Sequence, residues 1–111
     1  MKKGFDMNDT SEKKIEQHLV REVKRAGGIC PKLVSPGTDG MPDRLVLLPG
    51  GRVGFVELKA PGKKERPLQK RRNKQLRALG FYVAVLDDPE RVGRVVGEIG
   101  GNENDDLSEK R

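Results

Sequence analysis

The sequence has 111 residues, of which 36% are charged and 33% hydrophobic, and its formal net charge is +6. A chain this short forms one domain with a small core, which a homodimer would help to close. It has one cysteine and one histidine, which excludes an internal disulfide, a structural zinc site and chemistry with paired histidines. Because no apolar run reaches the ~18 residues of a membrane helix and the N-terminus lacks a signal peptide, we expect a cytoplasmic protein without a membrane partner.

The composition along the chain predicts a flexible leader (1–9), one domain (10–99) and a polar, disordered tail (100–111). The first helix begins at the capping-box pattern of residues 9–12 and ends at the glycine pair 27–28. This pattern predicts an amphipathic helix at the start of the domain.

An acidic residue, Glu16, lies on the apolar stripe of this first helix. The stripe consists of Ile15, Leu19, Val20, Val23 and Ala26. A carboxylate on a face that packs against the core is either a metal ligand or one half of an ion pair with Lys32 or Arg44. His18 falls outside the stripe and is interpreted as a surface residue, and Cys30 as a small core side chain.

The middle of the chain has the pattern of strands. Residues 29–34 predict a short strand, and an antiparallel hairpin follows with strands at 44–48 and 52–59 around a Pro-Gly-Gly turn. A period of two places Glu57 and Lys59 on the same face of the second hairpin strand. Considered alone, such a pair is typical of a solvent-facing surface.

The last third of the domain predicts helix, strand and helix. A helix over 68–79 has a weak apolar stripe, and the continuous apolar run 81–86 favours a central strand covered on both faces. The stripe consists of Leu68, Leu76 and Leu79. Asp87 or Asp88 then caps the final helix. The fold class is therefore α/β, with helices flanking a mixed sheet in the order α-β-β-β-α-β-α.

Two carboxylates and a lysine form the most informative motif: Pro-Asp43, thirteen intervening residues, then Glu57-Leu-Lys59. The hairpin brings both carboxylates together, and they repel each other unless a cation lies between them. Oxygen ligands of this type suit Mg²⁺ or Mn²⁺, which can activate water against a phosphodiester, and Glu16 could complete the site. Lys59 would orient that water or neutralise developing charge.

This motif resembles the PD-(D/E)xK nuclease superfamily, and a longer set resembles its virus-type replication-repair nuclease (VRR-NUC) family. The set comprises Glu16, Lys32-Leu33, Gly37, Gly40, Pro42-Asp43-Arg44, Phe55 to Lys59, Gln69 and Leu79-Gly80. The resemblance implies a restriction-endonuclease-like fold. It also implies metal binding by Glu16, Asp43, Glu57 and the Leu58 carbonyl, a catalytic Lys59 and an auxiliary Gln69, although Gln69 could equally cap a buried carbonyl.

A basic segment follows this motif. Residues 60–77 contain eight Lys or Arg residues and one acid, Glu65, which is typical of a phosphate-binding surface or of a solvated face. The predicted DNA-binding residues are Lys32, Arg44, Lys63, Lys64, Arg66, Lys70, Arg71 and Lys74. Arg72 could reach solvent, pair with an acid or cross a dimer interface.

The resemblance and the basic segment together imply a Mg²⁺- or Mn²⁺-dependent, structure-selective endodeoxyribonuclease. The expected substrate is branched DNA, with Holliday junction resolution by a homodimer as the leading hypothesis, because a dimer presents two sites to two strands. The alternatives are a non-catalytic nucleic-acid-binding module and a nonspecific, flap-type or restriction-like nuclease.

Overall fold

The computed structural model describes the backbone of residues 2–101 and the side chains of residues 12–101. Its elements are α1 (Lys2–Arg25), β1 (Arg44–Leu48), β2 (Arg52–Leu58), α2 (Pro67–Ala78), β3 (Tyr82–Leu86), a 3₁₀ turn (Pro89–Arg91) and α3 (Val92–Ile99). The sheet has the order β1-β2-β3, with β1 antiparallel and β3 parallel to β2. The predicted α/β class with a mixed sheet is confirmed. In the described part of the chain, no helix combines the length and apolarity that crossing a membrane requires.

The helix boundaries differ from the prediction at the N-terminus. Helix α1 begins at Lys2, within the predicted leader and ahead of the capping-box pattern at residues 9–12. The flexibility predicted for residues 1–9 stays a prediction. Of the predicted tail at 100–111, residues 102 onwards lie outside the described part.

The segment predicted as a strand at 29–34 runs antiparallel to β1 but pairs with it only through isolated bridges. These bridges join Ile29 to Leu47 and Lys32 to Arg44. Pro31 lies between the bridges and has no backbone N–H to donate, which interrupts a continuous ladder. The segment therefore covers the outer edge of β1 and leads the chain towards Asp43.

The predicted hairpin is confirmed, since Leu48 of β1 faces Arg52 of β2 across the turn. The prediction that residues 81–86 form a central strand is wrong, because β2 is central and β3 lies at the edge of the sheet. Two arginines cap the outer edge of β3. Arg77 donates to the Val83 carbonyl at 3.1 Å and Arg91 to the Val85 carbonyl at 3.2 Å. These contacts satisfy edge carbonyls that would otherwise be free to pair with another strand.

The two faces of the sheet are covered unequally. Helices α1 and α3 pack on one face and form the main core with alternate residues of all three strands. Its buried members are Ile15, Leu19, Val23, Cys30, Val46, Leu48, Val56, Leu58, Ala84, Leu86, Val92, Val95, Val96 and Ile99. The second face carries a smaller cluster of Phe55, Leu76 and Val83. The chemically important residues of β2 and α2 lie on this second face.

The apolar stripe predicted for α2 is wrong. Leu76 is buried, but Leu68 and Leu79 are exposed, and the other buried residues of the helix are Gln69 and Asn73. The helix is rotated so that these amides face the sheet. The physical reason is that Gln69 donates to Glu57 and Asn73 donates to Glu65, and leucine side chains could not supply these hydrogen bonds.

Candidate active site

Glu57 is the centre of the candidate site. Its side chain extends from the central strand towards α2 and is 1% exposed. The Gln69 side-chain amide donates to its Oε2 at 2.5 Å, while the buried Oε1 has no hydrogen-bond partner among the described residues. The solvent-facing interpretation of Glu57 is therefore wrong. A buried carboxylate oxygen without a donor is costly and indicates a position where a cation or a polar ligand would bind.

The electrostatic environment disfavours the charged form of Glu57. Burial, and next the negative charge of Asp43, raise the pKa of Glu57 from an ordinary 4.5 to about 7, while Lys59 opposes this rise. The negative charge of Glu65 also raises the pKa of Glu57, by less than burial or Asp43 does. The site therefore contains more negative charge than its own lysine neutralises, which is the condition under which a bound cation stabilises it.

Asp43 lies at the mouth of the site, on the loop that leads into β1. Its Oδ2 accepts a hydrogen bond of 2.7 Å from the backbone N–H of Leu58, which fixes the carboxylate beside the last residue of β2. The side chain remains exposed to solvent. The structure thus brings Asp43 and Glu57 to the same end of β2, as the hairpin spacing predicts.

Helix α2 supports the loop before Asp43. Arg72 donates from Nε to the Asp39 carbonyl at 3.0 Å and from a terminal nitrogen to the Gln75 side chain at 2.7 Å, both at the exposed surface, and a role at a dimer interface stays a prediction. Gly40 has a positive φ of 80°, and a Cβ there would lie 2.9 Å from the Leu68 carbonyl oxygen. Glycine is required because the loop backbone passes directly against the helix.

Lys59 follows β2 on the same face as Glu57. Its ammonium lies 3.7 Å from Oε2 of Glu57, and its side chain is largely shielded from solvent. The backbone N–H of Lys59 donates to the Leu86 carbonyl at 3.1 Å and extends the pairing with β3 by one residue. The lysine is therefore fixed at its base and has its cationic end beside the carboxylate.

Glu16 forms an ion pair with Arg44, one of the two interpretations of this residue. Arg44 donates from Nε at 3.1 Å and from a terminal nitrogen at 2.7 Å, both to the same oxygen, Oε2. Its other terminal nitrogen donates to the Cys30 carbonyl at 2.6 Å. The pair fastens α1 to the start of β1. Metal binding by Glu16 and phosphate binding by Arg44 stay predictions.

Gln69 uses both ends of its amide, one to contact Glu57 and the other to contact the backbone at the start of α2. Its oxygen accepts from the backbone N–H of Arg66 at 2.9 Å, and its nitrogen donates to Glu57. It therefore caps a backbone N–H rather than the carbonyl considered from the sequence. Four residues later, the buried Asn73 donates to Glu65. Sequence reasoning missed Asn73 and Glu65, and the i, i+4 spacing from Gln69 was the signal that could have found Asn73.

The basic segment presents its cations at the surface. The predicted DNA-binding side chains Lys63, Lys64, Arg66, Lys70, Arg71 and Lys74 are all exposed, as is Lys32. A groove of about 580 Å³ lies between the loop at Asp39 and the N-terminal turn of α2, and Arg66, Gln69 and Arg71 contribute to its walls. This cationic groove is thus lined by two arginines and by Gln69, which contacts Glu57, together with the acidic Asp39.

The donor set fits a hard cation that keeps part of its water shell. Among the described side chains, no three His, Cys, Asp or Glu residues cluster closely enough to hold a metal by themselves. Mg²⁺ is commonly held by only one or two carboxylates together with waters and substrate phosphates. Asp43 and the unpartnered oxygen of Glu57 meet that requirement.

Comparison with known proteins identifies the family. No family model matches the chain. A protein of Acyrthosiphon pisum secondary endosymbiont phage 1 named "Putative nuclease p44" is 56% identical over 79 residues, which cover 71% of this chain and 85% of that protein. A solved structure described as "VRR_NUC domain" superposes with a TM-score of 0.72 at 31% identity, covering 78% of this chain and 94% of that one. With its restriction-endonuclease-like α/β fold, the chain belongs to the VRR_NUC nuclease family.

Proposed function

We propose that this nuclease is a divalent-metal-dependent endodeoxyribonuclease that cuts branched DNA as a homodimer, with the Holliday junction as its substrate. The observation that carries the proposal is the buried Glu57, whose Oε1 has no partner in the described structure and which lies near Asp43 and Lys59. Neither a structural ion pair nor a surface patch requires a buried, unpartnered carboxylate oxygen.

The metal would be held by Asp43 and Glu57, with the Leu58 carbonyl and Glu16 as further oxygen ligands. When bound, Mg²⁺ or Mn²⁺ polarises the phosphodiester and activates water as the nucleophile. Glu16 would have to move to take this role, since in the described structure it pairs with Arg44 and does not cluster with Asp43 and Glu57. Gln69 keeps the Glu57 carboxylate in one orientation, so that its other oxygen is presented to the cation.

Lys59 contributes positive charge at the reacting phosphate. Its ammonium lies beside Glu57 and is shielded from solvent, so its charge acts through a lower dielectric than that of a surface lysine. A fixed cation stabilises the negative charge that develops as the phosphodiester is attacked. Lys59 also orients the attacking water by hydrogen bonding.

The cationic groove beside α2 would contact the DNA backbone. Its charges act on phosphates and give affinity that depends on salt and little on sequence. The sequence contains only three Phe and one Tyr, so base stacking contributes little to recognition. A substrate recognised through its shape and charge suits branched DNA, and the phage relative makes a bacterial or infected-host cytoplasm the proposed location.

The decisive experiment compares cleavage of labelled four-way junction, flap and linear duplex by wild type, Asp43→Asn and Glu22→Gln in Mg²⁺, Mn²⁺ or EDTA. Glu22→Gln is the control, since it removes a carboxylate near the end of α1 that contacts His18 and Arg25 and lies outside the candidate site and the groove. We expect metal-dependent paired nicks in the junction that Asp43→Asn reduces at least about 100-fold and Glu22→Gln preserves. Sedimentation of the junction complex measures whether two copies bind.

Other outcomes separate the alternatives. Equal cutting of all substrates would retain the nuclease and remove the junction preference, while flap cutting alone would favour a flap nuclease. DNA binding without any cleavage, together with no Asp43-dependent metal binding by calorimetry, would indicate a non-catalytic nucleic-acid-binding module.

A further inference from the structure

A fully buried amide, Asn73, lies on the inner face of α2 outside the residues proposed to bind metal and phosphate. Its exposed fraction is 0%, its Nδ2 donates to Oε2 of Glu65, and its Oδ1 has no partner among the described residues. A buried amide with one unpartnered atom costs free energy that a leucine at the same position would not. The contact with Glu65 is therefore the feature that explains a polar residue here.

The Glu65–Asn73 hydrogen bond repeats the arrangement of Gln69 with Glu57 one helical turn further along α2. Residues four apart lie on the same side of a helix, about 5 to 6 Å apart at Cβ. Each amide donates to one carboxylate, so Glu65 is brought near the carboxylate of Glu57. The contribution of Glu65 to the raised pKa of Glu57 agrees with this placement.

The same hydrogen bond ties down the connection between β2 and α2. Within residues 60–66, the Lys63 N–H donates to the Ala60 carbonyl at 3.0 Å, and the Arg66 N–H donates to Gln69. The side chain of Glu65 is anchored to α2 by Asn73, whereas its neighbour Lys64 has an exposed side chain. The anchored acid thus lies between cations predicted to bind phosphate.

We propose that Glu65 and Asn73 are positioning residues that hold residues 60–66 in the conformation that binds the DNA backbone. This inference rests on the proposed nucleic-acid binding. A loop ordered before binding does not lose conformational entropy when the substrate arrives, so its cations bind phosphate more tightly. An acidic side chain therefore strengthens DNA binding, although its charge by itself repels phosphate.

The test uses two substitutions that remove the same charge. Glu65→Gln keeps an oxygen that accepts from Asn73, whereas Glu65→Ala removes the acceptor. Affinity for a fluorescein-labelled four-way junction is measured by anisotropy in EDTA over a series of KCl concentrations. We expect Glu65→Gln to bind at least as tightly as wild type. Glu65→Ala should bind more weakly, with a log–log salt slope smaller by about one for each phosphate that the loop no longer neutralises.

Electrostatics alone predicts a different result, in which both variants bind equally well and more tightly than wild type. That result would overturn the proposal. Thermal unfolding of each variant is the control for a general loss of stability. Weaker DNA binding supports a positioning role only if the melting temperature shows that the rest of the fold is unchanged.

Hydrogen exchange supplies a readout that does not depend on DNA. The amides of Lys63 and Arg66 should exchange faster in Glu65→Ala than in wild type and at the wild-type rate in Glu65→Gln. Unchanged exchange in Glu65→Ala would contradict the positioning role. If wild type itself does not bind the junction, the proposed function fails, and the exchange data still decide whether Glu65 orders the loop.

Discussion

The two faces of the sheet differ in what they bury. The face under α1 and α3 buries apolar side chains, including Leu19 and Val56 at 0% exposure. The face under α2 buries a small aromatic and aliphatic cluster together with Glu57, Gln69 and Asn73. In a domain this small, the apolar core under α1 and α3 supplies most of the stability. That stability offsets the free-energy cost of burying Glu57 under α2. Substitutions on the two faces should therefore affect different properties.

The largest effect on stability is expected from Leu19→Ala, which creates a cavity in the main core. We expect the free energy of unfolding to fall by about 2 to 5 kcal/mol, with unchanged cleavage per folded molecule below the melting temperature. Urea unfolding and single-turnover cleavage measure the two quantities. Leu79→Ala is the control, since this leucine is 67% exposed and its loss should change stability by less than about 0.5 kcal/mol. Similar losses in both variants would contradict the assignment of the core.

The next effect is a stabilisation on the opposite face, produced by Glu57→Gln. Since the pKa of Glu57 is raised to about 7 in the folded state, folding favours its protonated form. The stability that wild type gains from protonated Glu57 is therefore fully present below pH ~4.5 and is lost as the pH rises through 7. At pH 8 without metal, we expect the variant to be more stable than wild type by at most about 3 kcal/mol.

Thermal unfolding between pH 4.5 and pH 8 measures this difference, which should shrink towards the acidic end. Addition of Mg²⁺ should raise the melting temperature of wild type and not that of Glu57→Gln, which should also fail to cleave DNA. A pH-independent difference between the two proteins would show that the charge of Glu57 is not its cause.

A smaller effect is expected from Gln69→Ala, which removes the donor to Glu57 and the acceptor for the Arg66 N–H. Loss of a group that orients a metal-binding carboxylate commonly costs about 10- to 100-fold in metal affinity or activity. Mn²⁺ titration and cleavage rates measure both. Gln17→Ala, on the exposed side of α1, is the matched control and should leave both unchanged. Equal behaviour of the two variants would remove Gln69 from the site.

Local sequence patterns predict the hairpin, the pairing of Glu57 with Lys59 and the α1 stripe as far as Val23, whereas Ala26 lies after the end of the helix and is exposed. The alternation of β2 and the Pro-Gly-Gly turn act over a few residues, so these features depend little on the rest of the fold. The same use of residue spacing gives the wrong buried face for α2, because it predicts that Leu68 and Leu79 point inward and both are exposed. Which face of that helix turns inward depends on Glu57 and Glu65, the two carboxylates outside the helix that Gln69 and Asn73 contact.

The sequence by itself determined the α/β class, the nuclease motif and the two carboxylates at one end of β2, because spacing and strand period are local properties. Tertiary structure decided that β3 lies at an edge capped by arginines, that Glu16 pairs with Arg44, and that Asn73 anchors Glu65. These features join residues distant in sequence or buried by other elements. The energies of these contacts depend on how deeply each group is buried and on which partners folding brings together. The hydrophobic periodicity of the sequence gives no information about either.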